Sequence, residues 1–266
     1  MVRLAKLGAV PALVLAMLIV LFAAFDFFSG YAFNPPNLLL VLNIIFIAGT
    51  NLAVAVLSAK SYLTQGSSNL IVLGCAVLVS GLAALAAGWA SAFSANANVT
   101  IFNVGVLIAS GLQVFAALLM SAGTTSKTGA SRALLIITYA AFVITILLLS
   151  ALTLDDMLPP FFTSTGPTDL REFVLGTAGL LFAIAFTIHV RAFLKSKSTV
   201  LYWYSLALGS VAMGLLGSLL VTEFNGVLAW LTRIGQYIGG FYFLFAVLAL
   251  RSTGFSAGWA EAFASD

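Results

Sequence analysis

The chain has 266 residues, 62% of them hydrophobic and only 7% charged, with 11 Lys+Arg against 8 Asp+Glu. Soluble domains carry about 25% charged residues, so this balance excludes a water-soluble globular protein, a disordered chain and a basic nucleic-acid binder. The single cysteine, Cys75, excludes an intrachain disulfide.

Apolar runs long enough to cross a bilayer, about 20 residues each, recur eight times. The first spans Gly8 to Phe28 behind Arg3 and Lys6, and its length reads as a retained helix rather than a signal peptide. The second, Asn37 to Ala59, contains Asn43. The third, Leu70 to Phe93, carries Gly74, Gly81 and Gly88 at intervals of seven. A connection, Ser94 to Thr100, holds an Asn98-Val-Thr100 glycosylation sequon and leads into the fourth run, Ile101 to Ala122, with Asn103. The fifth is Ala133 to Leu154. The longest connection follows, Asp155 to Glu172, with four acids, three prolines and the aromatic pair Phe161 and Phe162. It reads either as a lid folding its aromatics onto the bundle mouth or, more simply, as a solvated loop. The sixth run is Phe173 to Leu194, with His189 near its end. The seventh, Val200 to Glu223, opens on Tyr202, Trp203 and Tyr204, placed as interfacial anchors, and repeats Ser210, Gly214 and Ser218 at intervals of four. The eighth, Val227 to Leu250, contains Gly235-x-x-x-Gly239 and one arginine, Arg233.

Helices satisfy their own backbone hydrogen bonds in lipid, and no run alternates as a barrel strand would. The expected fold is therefore all-α: a polytopic membrane bundle of eight helices over residues 1–251, with a tail at 252–266. A cytoplasmic N-terminus places Arg3, Lys6, Lys60, Lys127, Arg132, Arg191, Lys195, Lys197 and Arg251 inside, nine of the eleven basic residues. Both termini are then cytoplasmic. Arg171 is left in the outer loop, while Asp26, Asp155, Asp156, Asp169, Glu172 and Glu223 also gather outside. The small-residue stripes suit close helix packing within the bundle, or a homodimer.

An arginine inside a membrane helix is costly and marks a partner or a cavity. Arg233, Gln236 and Tyr237 follow i, i+3, i+4 spacing on one helix face, and Trp230 extends it. Asn43 and Asn103 belong to the same outer half, where Glu223 and Asp26 are candidate ion-pair partners. Two readings stay open: a polar pocket suited to an anionic or carbonyl-bearing ligand, with Phe161 and Phe162 at its mouth, or a structural tie between helices. His189 is the only histidine, so neither a bis-histidine haem nor a zinc site fits within one chain. It reads as an interfacial histidine before it reads as a pH switch. No lysine lies mid-helix to hold a retinal, and no phosphate loop, H-E-x-x-H or G-x-S-x-G is present. No cofactor and no enzyme activity are expected.

The local signatures, in order, are F-N-P-P-N-L-L-L-V-L-N from Phe33, S-Y-L-x-x-G-S from Ser61 and N-V-T-I-F-N from Asn98. F-F-x-x-x-G-P-T-x-L-R from Phe161, L-Y-W-Y-S-L from Leu201 and W-L-T-R-I-G-Q-Y-I-G-G from Trp230 follow. Together they resemble the multi-spanning N-terminal sensor regions of bacterial and archaeal signalling proteins, which precede PAS domains and a histidine kinase. The resemblance implies sensing and a prokaryotic plasma membrane. It also implies that Ser252 to Asp266, with Trp259 to Ala262, begins a cytoplasmic linker helix. Similar sequences often carry His or Tyr where this chain has Phe102. The expected function is a membrane sensory or ligand-binding module facing the lipid bilayer and a cytoplasmic signalling partner, with no nucleic-acid partner. The rivals are a small transporter or channel and a structural subunit of a larger complex. A transporter needs a polar track, and the inner half offers little beyond Gln113, Thr187 and His189.

Overall fold

The computed structural model describes residues 7–25, 33, 35, 37–121, 129–223 and 226–252. They form an all-helical bundle. The helices are α1 (Val10–Phe25), α2 (Leu38–Asn43 and Gly49–Gln65, joined by a π-helical turn at Ile44–Ala48), α3 (Ser68–Ala90) and α4 (Ala95–Ser121). After these come α5 (Arg132–Leu154), α6 (Asp169–Ser196), α7 (Thr199–Gly217, ending in a 3-10 turn at Ser218–Leu220) and α8 (Val227–Ser252). Between α5 and α6 stands a two-stranded hairpin, β1 (Phe162–Thr163) and β2 (Gly166–Pro167).

Seven helices, α2 to α8, are long and apolar enough to cross a membrane. The eighth expected crossing falls short among the described residues: α1 has 16 residues, or about 24 Å at 1.5 Å per residue, against a hydrocarbon core of about 30 Å. Asp26 lies outside the described residues, as does the expected linker helix from 253 onward.

Helix contacts close a ring: α2 on α3, α3 on α4, α4 on α6, α6 on α7, α7 on α8 and α8 back on α2. Helices α1 and α5 lie outside it, against α8 and α7 and against α3 and α4. Their outward faces carry Leu13, Met17, Val20, Ile136, Ile137, Leu147 and Leu148, all exposed. A belt of this kind has lipid as its natural solvent.

Small residues let the ring close. The seven-residue glycine stripe of α3 lies along α2, where a Cβ on Gly81 would stand 3.0 Å from Asn51 Cβ and one on Gly88 3.2 Å from Asn43 Nδ2. On α8, a Cβ on Gly235 would be 3.2 Å from Gly214 Cα of α7, and one on Gly239 3.2 Å from Ala207 O. Gly240 faces the π-turn, and a Cβ there would collide with Phe46 O. These stripes are filled inside the bundle.

Two sequence expectations are corrected here. Tyr204 is not an interfacial anchor: it is buried, donates to Gln113 Oε1 at 3.0 Å and packs on the His189 ring at 5.1 Å between centroids. His189 beside it is also buried and is satisfied by its own helix, with Nδ1 2.8 Å from Ala185 O. The second correction concerns the sequon. Ser94 accepts from Ala97 N at 3.3 Å and so starts α4 at Ala95, ahead of the expected Ile101. Asn98 is therefore helical and buried, donating to Ala87 O, where no glycan fits.

Candidate functional site

Four helices begin at the hairpin end of the bundle: α2, α4, α6 and α8. Each therefore has the positive end of its peptide dipole at that end of the bundle. The cavity they enclose has a volume of about 70 Å³ and is lined by Asn43 of α2, by Asn98, Phe102 and Asn103 of α4, and by Arg171 of α6. Thr232, Arg233 and Gln236 of α8, Ser218 at the end of α7 and Phe162 of the hairpin complete its polar and aromatic wall. A water needs about 10–15 Å³ of such space, so there is room for several waters or for one group of a few heavy atoms.

The sequence brought Arg233, Gln236, Asn43, Asn103 and Phe162 to this place, and all five line the cavity. Others sit one layer behind. Trp230 stacks on Arg233, with the guanidinium carbon 5.1 Å from the ring centroid, and its Nε1 donates to Phe33 O at 2.8 Å. Tyr237 turns toward α2 and donates to Asn43 Oδ1 at 3.2 Å, while Asn43 Nδ2 donates to Ala84 O at 3.0 Å. Tyr237 thus orients an amide rather than touching the cavity. Phe161 is buried against Val99 and Val174. Glu223 stands exposed before α8 and does not line the cavity.

The residue that sequence reasoning misplaced is Arg171. It is not an outer-loop charge. Thr168 caps α6, its hydroxyl accepting from Arg171 N at 3.4 Å, which sets Arg171 in the first turn with its side chain directed inward. Only 6% of it is exposed. Its Nη2 donates to Ser218 O at 3.0 Å, while Nε and Nη1 have no hydrogen-bond partner among the described residues. Asn103 Nδ2, also buried, is unpartnered in the same way. Every described acid, Asp155, Asp156, Asp169, Glu172 and Glu223, is exposed, and none lines the cavity. Two guanidiniums and several amides thus share a cavity whose described lining holds no carboxylate.

The hairpin is packed onto the bundle rather than standing free as a solvated loop. Asn96 Oδ1 accepts from both Phe161 N, at 2.8 Å, and Phe162 N, at 3.0 Å. Thr168 Oγ1 donates to Pro160 O at 3.0 Å from the other side. Asn96→Ala leaves two partly buried amides without their acceptor, at about 1–3 kcal/mol each if they stay dry. Faster amide exchange and faster proteolysis over residues 157–166, with α4 and α6 unchanged, are the expected outcomes.

A second, smaller cavity of about 20 Å³ lies deeper along the ring axis, lined by Asn51, Ser80 and Gln113 together with apolar neighbours. Phe102 and Gln236 border both spaces. Asn51 Oδ1 has no partner among the described residues, and the volume suits one water. The polar line therefore runs from Arg171 and Arg233 past Gln236 to Asn51 and Gln113, and through Tyr204 to His189. No protein-family model, curated protein or solved structure matches the chain, so the reading of its function rests on this line and on the cavity above it.

Proposed function

We propose that the chain is a membrane-embedded ligand-binding module of the sensory type, taking its ligand at the hairpin end of the bundle. The observation that carries the reading is the convergence of Arg171, Arg233, Gln236, Asn43 and Asn103 on one cavity under a hydrogen-bonded hairpin. Buried charge inside a membrane bundle is retained chiefly where something uses it. On this reading the hairpin end faces outward. Ligand contacts at Arg233 and Gln236 bias the α7–α8 seam, where backbones touch through Gly214 and Gly235. The far end of α8, near Ser252, then passes the change to a cytoplasmic domain or partner. The resemblance to sensor regions that precede PAS domains and kinases points the same way.

The test is the ligand-dependent shift in thermal stability of detergent-purified protein. Arg233→Ala removes a recognition group and its cation–π contact, and is expected to abolish the shift while leaving the helical content intact. A shift of wild-type size in Arg233→Ala would remove the cavity from consideration as the ligand site.

The second cavity favours one rival, a transporter. A polar line continuing inward past Phe102 and Gln236 is what a conduction path requires. Robust solute flux in proteoliposomes, blocked by Phe102→Trp, would replace the sensor reading.

A further inference from the structure

The chemistry of the ligand, given that the cavity is a ligand site as proposed, is set by Arg171. A buried guanidinium with two nitrogens lacking partners is among the least favourable groups a dry interior can hold. Arg171 adds to this a poor position, the first turn of a helix, where the peptide dipole favours negative charge and disfavours positive. Arg233 brings a second positive charge to the same lining. The described acids nearest Arg171 in the sequence, Asp169 and Glu172, stand exposed on the solvent side of the same first turn. Asn103 Nδ2 adds an unpartnered donor. Donors predominate among the cavity's charged and unpartnered groups, and the space admits a few heavy atoms.

We infer that the cavity binds a small oxyanion, a carboxylate or phosphate group, held by Arg171 and Arg233 with Asn103 as a neutral donor. An oxyanion matches guanidinium fork geometry and satisfies the unmade bonds of Arg171 in one step. The group can arrive as a free anion from the hairpin side or as the headgroup of an anionic lipid, since the cavity lies at the end of the bundle where headgroups would sit.

The experiment uses the full chain in neutral detergent at constant ionic strength, with chloride as the balancing anion. Sodium acetate, sodium phosphate and neutral acetamide are titrated separately while thermal unfolding is followed by tryptophan fluorescence. A parallel arm compares delipidated protein in nanodiscs of phosphatidylcholine with and without phosphatidylglycerol. The expected result is a saturable rise in midpoint with acetate or phosphate, or with phosphatidylglycerol alone if the source is lipid, and none with acetamide. Arg171→Gln weakens that response at least tenfold, and Arg171→Lys, which keeps the charge, restores part of it. Anion stabilisation undiminished in Arg171→Gln overturns the assignment. An equal response to acetamide also overturns the anion class while leaving a ligand site standing. Silence toward acetate, phosphate, phosphatidylglycerol and acetamide alike overturns both.

Discussion

Arg171→Met, without ligand, is expected to be more stable than the wild type, by about 1–4 kcal/mol. Methionine is long and unbranched and fills much of the guanidinium's path without carrying charge. The substitution removes a buried cation whose Nε and Nη1 lack partners and relieves its repulsion with the α6 dipole and with Arg233. The bond to Ser218 O is lost, but that carbonyl keeps a bond from Val221 N at 3.3 Å. Thermal or SDS unfolding in neutral detergent, with no added oxyanion, measures the difference. The gain in stability goes together with loss of the anion response, so one side chain trades stability for binding. A decrease of several kcal/mol would instead mean that Arg171 serves chiefly to tie α6 to the end of α7.

Gly240→Ala and Gly111→Ala are expected to move stability in opposite directions. The chemistry is the same, one methyl added to a helix. At Gly111 the added Cβ meets nothing within 4 Å, so helix propensity alone acts, worth up to about 1 kcal/mol in favour. At Gly240 the Cβ would run into the carbonyl oxygen of Phe46, which is backbone and cannot rotate away. Overpacking costs about 1–3 kcal/mol where side chains can yield, and the Gly240 site is expected at or above the top of that range. Monodispersity on size exclusion together with thermal midpoints distinguishes the pair. Equal midpoints would mean that α8 does not press against the π-turn of α2.

Much of this arrangement is legible in the sequence, for identifiable reasons. Arg233 stands out because an apolar run surrounds it, and the i, i+3 step to Gln236 then points both residues at one space. Asn43 and Asn103 are legible on the same ground, as amides within apolar runs. Arg171 was hidden by its neighbours: among Asp169, Glu172 and three prolines it resembles any loop charge. The available signal was the cap. Thr168 opening a helix makes Arg171, Leu175, Ala178, Phe182, Ala185 and His189 one continuous stripe, and all six are buried. Ser94 concealed the start of α4 in the same way, and with it Asn96 and Asn98. Tyr237 shares that face but stands one layer out, because i+4 on a helix turns it toward α2 rather than the axis. The sequence leaves the Asp155–Glu172 connection open between a lid and a solvated loop, because the anchor that holds it down, Asn96, lies some 65 residues away.

The π-turn of α2 has a consequence in angular phase. Regular α-helix turns by about 100° per residue, so side chains four apart drift by about 40° at each step. Leu39, Asn43, Ile47 and Asn51 are spaced four apart, and regular winding would carry Asn51 about a third of a turn away from Leu39. A π-turn accommodates one additional residue, which rewinds the drift by roughly one residue's rotation. Leu39 and Asn43 accordingly line the upper cavity while Ile47 and Asn51 line the lower. The bulge at Ile44–Ala48 works as a phase corrector, and it is what allows a single helix to serve both levels of the axis.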